Sequence, residues 1–207
     1  MNQTTTVRAP RGRELVVAAS RDLTAWLARR PLDAVRRGHT VIGHSGPLRT
    51  TVGLVLATEL LAEGLMDVSM LPPSWRAFHL VWMALLANCF LAFVATTKRR
   101  PHVLTATTLR LSAGPLGEVE VPLSAIASVR RELTSASGLG VRGIPDRPGS
   151  LLCTVSGTAD LTVELREPHT VRLANGTTHH ATRLHFAANT PATAHRLIGT
   201  AVRSAGR

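Results

Sequence analysis

The sequence predicts an α+β membrane protein in which a transmembrane helical hairpin precedes a small β-barrel or sandwich with a C-terminal helix. Residues 77–97 carry no formal charge and are followed at once by Lys98-Arg99-Arg100. A second hydrophobic segment occupies residues 51–71. After Pro101 the sequence changes to short alternating segments separated by turn residues, which is typical of β-strands. These observations divide the chain into a basic arm (1–48), a hairpin (49–97) and a strand domain (98–207).

The two hydrophobic segments are each about as long as a membrane span, which needs roughly 20 mostly apolar residues. The connection between them is short and contains Pro72, Pro73 and Trp75. Prolines favour a tight turn, and tryptophan favours the membrane–water interface. We therefore expect a hairpin of two spans.

The distribution of basic residues predicts the orientation of this hairpin. The chain has 24 basic and 13 acidic residues and a formal net charge of +11. Arg36, Arg37 and Arg49 precede the first segment, the three cations at 98–100 follow the second, and only Arg76 lies between them. Because cytoplasmic flanks are enriched in Lys and Arg, both termini are expected in the cytoplasm, as in a multi-pass protein of the cell (inner or plasma) membrane.

The basic arm is expected to begin with a disordered stretch, residues 1–13, and to continue as an amphipathic helix from Glu14. The cations expected at the anionic inner leaflet are Arg29, Arg30, Arg36, Arg37, Lys98, Arg99 and Arg100. Two placements of an ordered helix remain open: it lies in the headgroup layer, or it packs on the protein's own strand domain. The further alternative is an arm that is only partly ordered.

The first hydrophobic segment contains Glu59, Glu63 and Asp67 at a spacing of four residues, which places the three acids on one helical face. Together with His79 they form a candidate intramembrane polar site, since ionisable groups within spans are functional candidates. The alternatives are a contact with a partner protein and a neutral structural role. A neighbouring stripe of small residues (Gly53, Ala57 and Gly64) could also line the seam of a homo-oligomer.

The strand domain is expected to contain about seven short strands. A Gly-, Ser- and Pro-rich stretch at 134–149 is predicted to be a long loop, and Asn175-Gly176 predicts a hairpin turn. A closing helix is expected to be capped by Thr190, with Pro191 at its first position.

The segments RRPHVLTATTLRLSAGPLGEVEVPLSAIASVRRE, DLTVELREPHTVRL and TRLHFAANTPATAHRLIGTAV resemble the bacterial PH-like domain of small membrane proteins. The resemblance covers roughly residues 100–204. It implies a PH-like barrel carried by a two-helix anchor, in a family that is mostly of unknown function. The long loop at 134–149 departs from a compact domain of this kind.

Other functional classes find little support in the sequence, which indicates neither a catalytic set, a cofactor site nor a metal site. The adjacent pair His179-His180 does not have the spacing that puts two ligands on one side of a strand. Gly43-His44-Ser45-Gly46-Pro47 is interpreted as a loop that leads into a helix with no strand before it. Aromatic residues make up 3% of the chain, so a stacking platform for nucleic acid is not expected.

We therefore expect a non-enzymatic, membrane-anchored scaffold whose cytoplasmic domain binds a protein partner or lipid headgroups. The alternative is an accessory subunit of a membrane transporter or enzyme complex that uses the acidic stripe.

Overall fold

The computed structural model describes residues 4–7, 12–70 and 72–206, and the side chains of residues 4, 6 and 67–69 lie outside its described part. It contains helices and two β-sheets, which confirms the α+β class. The helices are α1 (Gly12–Leu27), α2 (Asp33–Arg36), α3 (Gly46–Ser69), α4 (Pro73–Arg99) and α5 (Pro191–Ala205). Short 3-10 turns occur at Gly114–Leu116 and Leu123–Ala125.

The strands form one six-stranded and one four-stranded sheet. They are β1 (Thr4–Thr6), β2 (Thr40–Ile42), β3 (His102–Leu104), β4 (Thr108–Ser112), β5 (Glu118–Pro122), β6 (Ile126–Ser135), β7 (Gly140–Gly143), β8 (Ser150–Thr154), β9 (Thr158–Arg172) and β10 (Thr178–Phe186). The larger sheet has the order β1-β9-β10-β8-β7, with β6 also paired to β9. The smaller sheet has the order β2-β3-β4-β5.

The core of the strand domain follows from strict alternation along the strands. Leu109 and Leu111 of β4 are completely buried, as are Val119 and Val121 of β5, because residues two apart point to the same face. Helix α5 covers the sheets with Ala194 and Ile198, as its sequence pattern predicts. Thr190 occupies the N-cap position and Pro191 begins the helix, as predicted, but the Thr190 side chain makes no capping hydrogen bond.

The basic arm contributes one strand to each sheet. Thr4–Thr6, in the stretch expected to be disordered, pairs in parallel with β9, and Val7 is buried. Thr40–Ile42 pairs with β3, so a strand does precede the His44-Ser45 loop, contrary to the sequence interpretation. The strand domain therefore extends beyond residues 98–207.

The stretch expected to be a long loop contains β7, whose residues pair with β8. The sequence predicts short strands, whereas β9 is one continuous strand of 15 residues. The Asn175-Gly176 hairpin between β9 and β10 is confirmed, since Gly176 adopts a positive φ of 86° there.

The two hydrophobic segments form helices α3 and α4, which pack against each other. Within the described residues, α4 is the one helix long and apolar enough to cross a membrane. Every 18-residue window of α3 contains three charged residues, so α3 does not have the composition of a span. The two-helix anchor remains a prediction.

Candidate functional site

Helix α4 has an accessible part, residues 73–93, which we call its free part, and a buried part, residues 94–97, which we call its seated part. In its 18-residue apolar stretch only 6% of the residues are buried, whereas Val94–Thr97, in its last turns, are all buried. Residues 73–93 amount to about 31 Å of helix at ~1.5 Å per residue. This length matches the hydrocarbon core of a bilayer, about 30 Å.

The seated part is surrounded by two elements that we call the collar: helix α1 and the 3-10 turn Gly114–Leu116. Both pack on α4. Thr97 Cγ2 lies 3.7 Å from the position a Cβ would take on Gly114. The Thr96 hydroxyl donates to the Ala92 carbonyl (2.7 Å), so this polar group is satisfied within the helix. The collar thus surrounds the end of α4 at which Lys98 stands.

The three cations that end α4 make contacts within the molecule. Arg100 Nε donates to Asp22 Oδ2 at 2.9 Å. Lys98 Nζ lies 5.6 Å from the ring centroid of Trp26, within cation–π range. Arg99 Nη1 donates to the Arg30 carbonyl at 2.8 Å. Of the two placements open for the basic helix, the structure shows packing on the protein itself. The side chains of Val16 and Val17 on α1 remain exposed.

A cleft of about 600 Å³ lies between α1, the start of α2 and the smaller sheet. Its lining combines charged residues of both signs with apolar residues that include Val17, Leu32 and Val103. The charged lining residues are Arg13, Arg21, Arg99, Arg100, Arg110, Glu14, Asp22, Asp33 and Glu118. The cleft therefore borders the collar and offers guanidinium donors at the end of α4.

The remaining predicted surface cations, Arg29, Arg30, Arg36 and Arg37, are exposed. They follow α1 and continue through α2. They lie near the collar in sequence, but none of them lines the cleft.

The predicted acidic stripe is brought together in part. Glu63 Oε2 lies 2.9 Å from His79 Nε2, so α3 and α4 form an ion-pair contact if the imidazole is protonated. The side chain of Asp67, on the same face of α3, lies outside the described part. Glu59 is exposed on α3.

The small-residue stripe has two different environments. A Cβ on Gly53 would lie 3.2 Å from Phe90 Cζ, so Gly53 admits the aromatic ring of α4. Around Gly64 such a Cβ would meet no atom of the described residues within 4 Å, and Ala57 is exposed. Gly53 therefore allows α3 and α4 to pack closely, whereas Gly64 and Ala57 are available for other contacts on the surface of the hairpin.

A pair of buried histidines joins the hairpin to the strand domain. The His44 and His102 rings are 4.8 Å apart. His44 Nε2 donates to the Arg100 carbonyl (2.8 Å), which leaves Nδ1 to accept from the Ser45 hydroxyl (2.5 Å). His102 Nε2 donates to the Ala187 carbonyl (2.8 Å) while its Nδ1 accepts from Ser112 N–H (2.9 Å). These contacts define neutral tautomers for both rings.

The environment of this pair keeps both imidazoles uncharged. Burial lowers the pKa of His102 to about 3, and the neighbouring His44 adds to the effect. Burial also lowers the pKa of His44, partly offset by the hydrogen bond to the Arg100 carbonyl. Ser45 adopts a left-handed conformation (φ 61°) between β2 and α3, but it is only 7% exposed and its hydroxyl is bonded to His44. The geometry supports a structural junction at this loop.

Asn189 completes the junction between hairpin and domain. Its backbone N–H donates to the Gly43 carbonyl (2.8 Å), and its Oδ1 accepts from Gly46 N–H (2.7 Å) at the first residue of α3. The start of α3 is thus fixed to the segment before α5. Sequence reasoning missed Asn189 and His102 because their contacts with Gly46 and Ala187 span 143 and 85 residues, and only the Gly43–Pro47 motif gave a local signal.

The described residues contain no group of three or more His, Cys, Asp and Glu side chains arranged to hold a metal ion. Cys89 is exposed on α4 and Cys153 is buried in β8. Burial raises the pKa of the Cys153 thiol to about 12.

No family model matches this chain, and no match was found among curated proteins or solved structures. The likeness to the bacterial PH-like domain therefore remains a proposal.

Proposed function

We propose that this protein is a non-enzymatic binding protein anchored in the cell membrane, and that its strand domain contacts a protein partner or lipid headgroups at the inner leaflet. By resemblance this domain is PH-like. The proposal takes both termini to be cytoplasmic.

The observation that carries the proposal is the free surface of α4. Large apolar side chains such as Phe78, Val81 and Trp82 are exposed over a length that suits the hydrocarbon core. Exposed apolar surface of this extent is characteristic of interaction with a membrane or another protein. Trp75 stands near the outer end and Trp26 packs beside Lys98 near the inner end, as expected of aromatic belts at the two interfaces.

The connections of α3 support insertion of both helices. The first residue of α3 is bonded to Asn189 of the strand domain, and its last residue is separated from α4 by residues 70–72 only. If α4 crosses the bilayer, the far end of α3 must lie at the same side as the start of α4. Helix α3 then has to return through the membrane beside α4, despite its charges.

The cleft beside the collar supports contact with lipid headgroups. Its arginines lie at the depth where headgroup phosphates are found if residues 73–93 fill the hydrocarbon core. Arginine is well suited to phosphate because its guanidinium presents several donors in a fixed plane. Native mass spectrometry of the full chain should therefore detect retained anionic lipid, less for Arg13→Glu/Arg21→Glu than for the control Arg196→Glu on α5. Equal retention by both variants would favour a protein partner.

Membrane anchoring itself is tested by alkaline carbonate extraction of membranes that contain the full chain. We expect the protein to stay in the pellet, and Leu85→Arg/Leu86→Arg on the free part of α4 to weaken this retention. The matched control is Leu197→Arg, on the surface of α5. Release of the unaltered protein into the supernatant would contradict the proposal.

A second candidate function, as an accessory subunit of a membrane transporter or enzyme complex, is favoured by the polar groups of the hairpin. The contacts Gly53–Phe90 and Glu63–His79 set an antiparallel register that places Glu59 opposite Met83, near the middle of the free part of α4. A carboxyl group there costs roughly 2.5–3.5 kcal/mol on insertion scales, which a partner's polar groups would offset.

Co-purification in mild detergent distinguishes the two functions. A stoichiometric transporter or enzyme subunit that is lost in Glu59→Gln/Glu63→Gln would support the accessory role. The control is Glu167→Gln, an exposed carboxylate of β9. If no such subunit is recovered, or if both variants retain it equally, the acidic stripe does not recruit one.

A further inference from the structure

Two leucines stand exposed on either side of the turn that connects β6 to β7. Leu133 is 79% exposed and Leu139 is 61% exposed. Among the large apolar side chains described between residues 101 and 206, only Leu197 joins them as exposed, at 39%. Exposed leucines concentrated at one turn point to a contact surface.

The turn that carries these leucines is held in place by the residues around it. Ala136 N–H donates to the Gly157 carbonyl (3.0 Å), and Arg142 Nη2 donates to the Ala136 carbonyl (2.7 Å). Ala136 also packs on a small apolar cluster of Ile144, Leu152 and Ala159. The two leucines are therefore presented by a fixed turn.

This turn borders the collar of α4. A Cβ on Gly140 would lie 3.2 Å from Leu116 Cβ, so Leu139 directly precedes a residue in contact with the 3-10 turn of the collar. Val155, from the neighbouring β8–β9 turn, approaches the Cβ position of Gly114 to 3.5 Å. Both turns thus cluster at the end of the strand domain that adjoins the last turns of α4.

The opposite end of the smaller sheet points away from α4. Two residues separate the end of α4 from strand β3. This strand leads to the turn at 105–107, where Ala106 is exposed. Leu123 N–H donates to the Thr107 carbonyl (2.8 Å), which places the second 3-10 turn at this far end as well. The two most exposed leucines of the domain therefore lie at its near end, whereas the far end has the less exposed Leu197 among small and polar side chains.

We infer that Leu133 and Leu139 insert into the interfacial layer of the same bilayer that α4 enters, and so form a second membrane contact that fixes the tilt of the strand domain. The inference rests on the proposed membrane anchoring. The length of α4 places the collar at the boundary between headgroups and acyl chains, and Leu139 adjoins the collar. Apolar side chains at this depth gain from leaving water for the acyl-chain boundary.

The test uses variants of the full chain with one accessible cysteine, made in a Cys89→Ser background and labelled with the fluorophore NBD. Cys153 does not compete for the label because it is buried and its thiol has a pKa raised to about 12. The labelled positions are Leu133→Cys and Leu139→Cys at the proposed contact, Ala106→Cys at the far end, and Leu85→Cys on the free part of α4. Each protein is reconstituted in phosphatidylcholine vesicles with a nitroxide at a shallow acyl position.

We expect a blue-shifted emission at positions 133 and 139 and loss of most of it to the nitroxide, with neither effect at position 106. Water-like, unquenched emission at 133 and 139 while position 85 is quenched would overturn the inference and leave the anchoring intact. Blue-shifted but unquenched emission would overturn it as well, since it indicates a protein contact. Absence of quenching at position 85 would instead contradict the proposed membrane anchoring.

Discussion

At the scale of single residues, the most consequential group is the buried His102. Its two ring nitrogens are both hydrogen-bonded, and its ring also packs edge-on against Phe186, with centroids 5.2 Å apart. A charged imidazole would disrupt the Ser112 N–H contact, because Nδ1 would then become a donor facing a donor. The junction between hairpin and domain thus depends on a neutral ring.

This dependence predicts that the strand domain loses stability in acid. The pKa of His102 is lowered from 6.5 to about 3 in the folded protein, so between these values the unfolded chain binds a proton that the folded chain does not. The stabilising effect is complete above pH 6.5 and is lost as the pH falls towards 3, by up to ~1.4 kcal/mol per pH unit. Melting of the full chain in detergent at pH 7.5 and 5 measures this change.

The control for the acid effect is His102→Gln, which removes the titrating group. The variant should be less stable than the natural protein at pH 7.5 but should show a smaller decrease between pH 7.5 and 5. If the decrease is the same in both proteins, His102 is not responsible for it. His44, His169 and His185, whose pKa values are also lowered by burial, contribute to the part that remains.

Gly53 provides a second prediction at the residue scale. A side chain at this position meets Phe90 Cζ at 3.2 Å, so Gly53→Leu should push α3 and α4 apart and cost about 1–3 kcal/mol, the range for overpacking. Gly64→Leu is the matched control, since its Cβ would meet none of the described atoms within 4 Å. Thermal unfolding in detergent should separate the two. Equal losses would show that the helices do not pack through Gly53.

The Gly64→Leu variant also tests the predicted homo-oligomer contact. If Gly64 and Ala57 line a seam between two copies, the substitution should change the oligomeric state measured by light scattering while the melting temperature of the strand domain stays the same. An unchanged oligomeric state would remove the small-residue stripe as a homo-oligomer contact.

At the scale of elements, the N-terminal strand β1 shows how a basic arm becomes part of the fold. Thr5 Oγ1 donates to the Glu120 carbonyl (3.1 Å) and lies 2.8 Å from His169 Nε2, so β1 links β5 of one sheet to β9 of the other. Val7 fills the space over Gly117, where a Cβ would come within 2.7 Å of Val7 Cγ1. Gly117 also has a φ of 126°, a conformation that favours glycine.

The burial of Val7 predicts that this short strand contributes to stability. Val7→Ala should lower the free energy of unfolding by about 1–2.5 kcal/mol, because it removes buried apolar groups and leaves a cavity. Val16→Ala on α1 is the control, since Val16 is 62% exposed. Chemical denaturation of the full chain in detergent provides both values. Equal values would show that β1 is not held in the core.

The elements also show what the sequence could and could not reveal. Strands β4 and β5 alternate clearly, and helix α4 has an unmistakable apolar length, so local patterns were sufficient for them. Strand β7 was missed because glycine disfavours strands, and β7 both begins and ends with glycine, at Gly140 and Gly143.

The candidate site was predictable to the same limited degree. The acidic face of α3 follows from helical periodicity. Its contact with His79 depends on the hairpin connection, and α4 begins at Pro73, earlier than the apolar stretch suggested. The cleft and the collar require α1 to pack on α4, a tertiary contact for which the sequence left two placements open.

At the scale of the whole molecule, the decisive question is whether the hairpin crosses the bilayer or lies along its surface. Both ends of α3 are constrained, by Asn189 at the domain and by the short connection to α4. A crossing hairpin therefore has its tip, including Ser74, on the side opposite to the strand domain. A hairpin lying on the surface leaves its tip on the same side as the domain.

Thiol labelling in intact cells distinguishes these arrangements in a Cys89→Ser background. Ser74 and Ala106 are both exposed, one at the hairpin tip and the other at the far end of the strand domain. We expect Ser74→Cys to react with a membrane-impermeant maleimide in intact cells and Ala106→Cys to react only after permeabilisation, because the rule of cytoplasmic positive charge predicts that the cations at 98–100 keep the domain in the cytoplasm. If both cysteines require permeabilisation, the hairpin does not cross. If Ala106→Cys alone reacts in intact cells, the hairpin crosses in the reverse orientation, and the rule of cytoplasmic positive charge fails for this protein.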